Sequence, residues 1–452
     1  MTESAKQYIN LWRDERATVD GNAPAALNSR REAAARTLED RGFAHAGDEG
    51  YTFTDLNRMF APDMGVNIAR MPFSADVAAA FRCHVPNIST LLGVTANDVF
   101  RPTENMVRLL PEGVTVCSLS QAPELLPGVL EKYYDTTTDD DANGAVALNT
   151  LLAQDGVLVY VRKSARCDKP IQLVNILGGV NMPMLALRRL LVVMEEGSEA
   201  RILACDHASD DKLHNTVNAV VEIILDKHSH LEYYDLEESS HSTRRYASIN
   251  VRQQEGSHLV LNVTTLRCGV TRNDIRVSLD GPHAKATLSG IAIVDGEQLA
   301  DNSATVLHHC PDCHSNQMFK YIVDGSGRGA FQGLIRVSEG AVRTDAYQTN
   351  RNILADKGAR MHTQPQLEIY CDDVKCSHGA ATGQIDERQL FYMQSRGIPR
   401  AEARTMLMQA FMADVIDGIS LEALRDRLRH LVDQRLTGQP MNCGDCSKPA
   451  IS

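Results

Sequence analysis

Ligand-type side chains crowd into one short stretch, Leu367-Glu368-Ile369-Tyr370-Cys371-Asp372-Asp373-Val374-Lys375-Cys376-Ser377-His378-Gly379-Ala380. Cys376 and His378 stand two residues apart, which on an extended strand puts both side chains on one face. Lys375 beside them would favour the thiolate of a neighbouring cysteine. A thiolate and an imidazole together suit iron or iron-sulfur species; the competing reading is a partly buried cysteine next to a satisfied histidine. A second cluster, His308-His309-Cys310-Pro311-Asp312-Cys313-His314, sets Cys310, Cys313 and His314 at a spacing that can grip one soft metal ion. No second C-x-x-C lies near it, so the alternative is a loop with incidental thiols. Cys443 and Cys446 repeat the spacing near the end of the chain, either as a metal or disulfide pair or as exposed thiols.

The elements that must position these residues fall into three textures. Over 1–150 the chain reads as a mainly helical region: Arg30 to Leu38 is rich in helix formers and is followed by Gly42 as a stop. Asp135 to Asp141 reads as a polar, solvated loop. From 151 to 384 short apolar runs dominate, among them Val157 to Val161, Leu190 to Met194 and Val220 to Leu225. Turn pairs at Gly197-Ser198, His228-Ser229, Gly256-Ser257 and Gly281-Pro282 recur about every 25 to 30 residues. That spacing fits the coils of a β-solenoid, though a large antiparallel sandwich would alternate similarly. Over 385–436, Asp386 can cap a helix containing Leu390 and Phe391, Pro399 suits the start of another, and Leu407, Phe411 and Val415 fall at i, i+4 spacing. A third segment from Ser420 carries Leu424, Leu428 and Leu431 on one face. The tail, 437–452, has too little apolar content to order itself.

Composition excludes several function classes. The net charge of -12 opposes nucleic-acid binding, and no apolar run approaches the ~20 residues of a membrane span. An unremarkable N-terminus and eleven cysteines, an odd number, predict a reduced, cytoplasmic protein. No G-x-x-x-x-G-K-[ST] loop exists, so the chain should not hydrolyse ATP. Gly325-Ser326-Gly327-Arg328-Gly329-Ala330 mimics a dinucleotide fingerprint, but the following residues alternate like a strand instead of opening a helix.

Asp372 to Ile398, DDVKCSHGAATGQIDERQLFYMQSRGI, resembles the hallmark segment of the SufD branch of the SufB/SufD family of iron-sulfur cluster assembly proteins. Arg272-Asn273-Asp274, Arg328 to Gly333 and Thr344 to Asn350 extend the likeness. The resemblance implies a mainly β protein: a right-handed parallel β-helix core flanked by N- and C-terminal helical units. It implies a non-catalytic scaffold that pairs with a SufB-like subunit through the core and docks a SufC-like ABC ATPase through the C-terminal helices, with homodimerisation an option. A transient iron-sulfur cluster would form at the SufB interface, with His378 and Cys376 as ligand or interface residues. Leu390, Phe391, Leu407, Phe411 and Val415 would serve the docking helices. The complex would also bind reduced flavin, with no cofactor held tightly by this chain alone. Cys371, Cys310 and the Cys443/Cys446 pair depart from the family pattern. Two alternatives stay open: a SufB-like homodimeric scaffold, and a metal enzyme using the 308–314 cluster with Asp312 or Asp373 as base.

Overall fold

The computed structural model describes residues 2–61, 64–71, 90–138, 143–178, 182–208 and 211–438. From residue 171 onward the backbone winds so that each coil lays one strand, usually of ten residues, in each of two sheets. One sheet takes Met184–Met194, Thr216–Leu225, Arg244–Gln253, Val270–Leu279, Leu299–His308, Arg328–Val337 and Arg360–Ile369. The other takes Ile171–Leu177, Glu199–Ala208, His230–Glu238, His258–Arg267, Lys285–Val294, His314–Val323, Thr344–Leu354 and Val374–Gly383. Every pairing between these strands is parallel, which excludes the antiparallel sandwich and makes the core a parallel β-solenoid of about seven turns.

One corner shows why the turn residues recur. Ser164, Gly197, His228, Gly256, His283, Asp312 and Arg343 all have positive φ, one residue per coil, and each donates its N–H to a corner carbonyl of the next coil, as Gly197 does to Lys227 at 2.8 Å. Behind six of them a small side chain is buried: Ser198, Ser229, Ser257, Ala284, Cys313 and Thr344. The fourth expected turn pair therefore sits two residues later, at His283-Ala284. Inside, Ile171, Ile202, Leu231, Leu259, Leu261, Leu288, Val306, Phe319 and Phe331 belong to one continuous core, each fully buried aliphatic chain contributing ~1.5–3 kcal/mol.

The N-terminal region is more than helical, because Leu91–Ala96 pairs in parallel with Ile171–Leu177 and Val114–Ser118 pairs antiparallel with Val157–Val161. Helix Ala25–Arg41 ends where predicted, at Gly42 with φ 59°. Helix Gly144–Leu152 is buried along its whole length, and the Arg31 guanidinium donates to the Leu151 and Ala153 carbonyls at its end, at 2.6 and 2.9 Å. The expected solvated loop at Asp135 is a correction. Asp135 accepts from Arg189 at 2.8 Å, and the backbone N–H groups of Asp135, Thr136 and Thr137 donate to buried Glu222. A loop rich in Asp and Thr looks solvated until a buried arginine and a buried glutamate claim its polar groups. Residues 139–141 of that stretch lie outside the described residues.

Three C-terminal helices, Glu387–Ser395, Arg400–Asp417 and Glu422–Thr437, follow the last coil. The second and third pack on the outer face of the second sheet, where Met408, Met412, Val415, Ile416, Leu424, Leu428 and Leu431 meet Leu203, Leu236, Ile291 and Ile322. Asp386 caps the first helix as expected, accepting from Arg388 N–H at 2.8 Å, and Pro399 is the N-cap of the second. Ser420 does not open the third helix; its hydroxyl donates to Glu232 on the solenoid. No helix among the described residues is long and apolar enough to cross a membrane.

Candidate functional site at the open end of the solenoid

Strand register fixes where the Cys376/His378 pair stands. Ile171, Ile202, Tyr233, Leu261, Leu288, Gln317, Gln348 and His378 stack coil upon coil. The first seven are buried, whereas His378, on the last strand, is exposed. A neighbouring column runs Ala200, Leu231, Leu259, Ala286, Ser315, Ala346 and Cys376, again buried up to its last member, which is half-buried. Both residues thus point along the core direction, and among the described residues no further coil covers them.

The lumen also changes chemistry as it nears this end. Leu261 and Leu288 give way to Gln317 and Gln348, whose side chains bond each other at 3.1 Å. Gln348 fits because Gly333 faces it: a Cβ there would stand 2.0 Å from Nε2. Asn350, buried on the same strand, donates to the Phe319 carbonyl and accepts from Thr363 at 2.8 Å. Gln348 Oε1 and Gln317 Nε2 keep unused bonding capacity. These amides went unnoticed in the sequence, although Gln317 and Gln348 hold the same position in successive coils, a signal legible once the register is known.

Cys371 and Cys376 both lie against Ile335, Val337, Ala341 and Ala346. Burial, and next the Asp345 carboxylate on the adjoining strand, push the Cys376 thiol up. This reverses the expectation that Lys375 activates it: Lys375 points to the opposite face and pairs in register with Asp345. At neutral pH the thiol is a protonated wall residue.

The 308–314 cluster is dispersed. Cys313 is the buried corner residue of its coil and donates to the Gly281 carbonyl at 3.3 Å, with its thiol pushed by burial to about 11. His314 is exposed on the other face, 3.6 Å from Asp345. Cys310 is half-buried against the core, and burial pushes its thiol up. Buried His308 shares a 2.9 Å hydrogen bond with Ser315. Among the described residues no three His, Cys, Asp or Glu side chains are grouped so that they could hold a metal ion. Cys443 and Cys446 lie outside the described residues.

Of the helix positions singled out, Val415 is buried and Phe411 packs half-buried in the helix-solenoid contact, where the Lys320 ammonium lies 4.9 Å from its ring and donates to the Phe411 carbonyl at 2.7 Å. Leu390 is buried and Leu407 half-buried. Phe391 is 73% exposed, and Tyr392 beside it 60%, so the most exposed aromatic side chains of this unit are on its first helix.

Residues 177–411 match the model of the SUF system FeS cluster assembly, SufBD core domain, and residues 2–173 that of the SufBD protein N-terminal region. The chain is 31% identical to iron-sulfur cluster assembly protein SufD of Escherichia coli over 353 residues, 75% of this chain and 82% of that protein. It is 29% identical to an iron-sulfur cluster assembly SufBD family protein of Synechocystis, over 93% of this chain and 94% of that protein. Protein ABCI7, chloroplastic, of Arabidopsis thaliana is 27% identical over 89% of this chain and 84% of its own length. Solenoid, helical flanks and sequence likeness agree, and the chain belongs to the SufB/SufD family of iron-sulfur cluster assembly proteins.

Proposed function

We propose that this chain is the SufD-type scaffold subunit of a cytoplasmic SUF assembly complex, joining a SufB-like subunit through the open end of its solenoid and an ABC-type ATPase through its C-terminal helices. The observation that carries the reading is the uncapped last coil. Among the described residues Arg360–Ile369 and Val374–Gly383 end their sheets, and each presents a row of backbone N–H and C=O groups without a strand partner there, which a long edge strand needs to have covered. A second solenoid end satisfies both rows together and encloses Cys376 and His378 between the two subunits. Iron and sulfide are the cargo there: His378 offers an imidazole nitrogen, and Cys376 a thiol that becomes a ligand once metal displaces its proton.

The ATPase reading rests on the exposed Phe391-Tyr392 pair beside helices fastened to the core. Lys320 bonds Asp414 at 2.6 Å and Arg435 bonds Asp295 at 2.7 Å, so a pull on the helices would be passed to the solenoid. The internal cavity beside Arg188, about 40 Å³, is too small for reduced flavin.

The test is anaerobic co-expression of the tagged chain with the SufB-like and ATPase proteins of its organism. Both should co-purify; Phe391→Asp should lose the ATPase alone, and a chain ending before residue 360 should lose the SufB-like protein. Recovery of the unaltered chain alone would overturn the assignment.

A further inference from the structure

A buried oxygen lies in the lumen one strand below His378 with no partner among the described residues. In the last two coils the inward positions of the second sheet are Ala346, Gln348, Asn350 and Asn352 on one strand and Cys376, His378, Ala380 and Thr382 on the next, paired in that order. The two asparagines are engaged with the chain around them. Asn350 donates to the Phe319 carbonyl and accepts from Thr363 and Asn352, and Asn352 also donates to Thr382 at 3.0 Å. Gln348, 2% exposed, donates from Nε2 to Gln317 Oε1 at 3.1 Å, which leaves its own Oε1 as the bare atom. The residue that follows Gln348 in register is His378.

Buried acceptors without a donor are rare, and each calls for a role. An amide whose Nε2 turns to the coil below presents Oε1 to the coil above. Gly333 lets Gln348 keep that pose, since a Cβ there would stand 2.0 Å from Nε2. In the last coil Pro365 takes the place of Gly333 and has no side-chain hydrogen-bonding group. Neighbouring strands stand ~4.8 Å apart, so the His378 ring is within reach of the bare oxygen. A neutral imidazole has one N–H and one bare nitrogen, and the hydrogen bond made by one decides which is which. We propose that Gln348 is a positioning residue for His378: its Oε1 accepts from Nδ1–H, and the bare Nε2 is thereby turned out of the lumen toward the cargo. Histidines that hold a metal ordinarily have such an acceptor behind them. Gln317 completes the chain by holding Gln348. The inference rests on the reading of His378 as a residue of the assembly site.

Nitrogen NMR of the full chain carrying isotope-labelled histidine, at mildly alkaline pH, reads the tautomer directly, with His378→Gln used to assign the signal. In the unaltered chain Nδ1 should carry the proton. In Gln348→Leu, which continues the leucines of the column, Nε2 should carry it instead, as in free imidazole, and Gln317→Leu should give a mixture. Cluster formation by a complex containing Gln348→Leu should slow about tenfold. A proton on Nε2 in the unaltered chain would overturn the proposal, even if a substituted chain fails to fold, and so would one tautomer common to all three chains. Either result leaves the assembly role standing, because the tautomer is read on the chain alone. Normal cluster yield from a complex with His378→Ala would instead remove His378 from the site and leave the tautomer result in place.

Discussion

The two ends of the solenoid are built on the same coil and finished differently. At the first coils the sheets turn back through the antiparallel strands Val99–Pro102 and Val114–Ser118, and helix Gly144–Leu152 covers the flank. Beneath it Arg189 bonds Glu222 at 2.6 Å and Asp135 at 2.8 Å and lies 4.5 Å from the Tyr134 ring. At the last coil no element covers either edge among the described residues, and a column buried for seven coils ends on exposed His378. Burial in a solenoid is a property of having a neighbour coil on each side. The sealed end shows what the chain does when a surface must stay dry, and the open end reads as a surface left for another chain to dry.

Four experiments would break or sharpen that contrast. Glu222→Ala should have the largest effect, about 3–5 kcal/mol of stability by chemical denaturation, because it strands the buried Arg189 charge; a loss under ~1 kcal/mol would mean the seal is not electrostatic. Within one column, Leu261→Ala should cost about 2–5 kcal/mol while His378→Ala stays within ~0.5 kcal/mol. A large loss at His378 would show that the open end is packed after all. Wild-type cluster yield from a complex carrying His378→Ala would separately remove His378 from the assembly site.

The third concerns pH. Burial holds His308 neutral down to about 4, against an ordinary value near 6.5. Holding it neutral therefore costs no stability above pH 6.5; as pH drops toward 4 stability is lost, and the loss totals about 3 kcal/mol at the acid limit. His308→Gln should flatten the wild-type stability decline between pH 6.5 and 4, as read from denaturation midpoints. The smallest effect is chemical: Cys371 and Cys376 should alkylate in the native chain before buried Cys313 does, and Asp345→Asn should speed Cys376 roughly two- to threefold by removing a charge that opposes the thiolate. Labelling followed by peptide mass spectrometry would show Cys313 reacting first if the corner were misread.

Much of this was legible in residue types. Gly197, His228 and Gly256 marked the corner because a left-handed turn restricts side chains at each coil, and Asp386 and Gly42 marked helix ends because capping is local chemistry. The same locality misled at Cys310, Cys313 and His314: neighbours in sequence suggested one metal site, yet strand alternation sends Cys313 inward and His314 outward. It misled at Asp135, whose partners Arg189 and Glu222 arrive from distant strands, and at Lys375, which faces away from the thiol it was expected to activate.

By itself the sequence determined the coil, its turns, the flanking helices and the family, since each depends on short-range patterns repeated along the chain. Only the tertiary structure decided which repeated positions are dry. Leu261, Gln348 and His378 occupy one column, and what separates a core leucine, a luminal amide and an exposed imidazole is how many coils lie above them. That is a matter of long-range register, which no local pattern encodes.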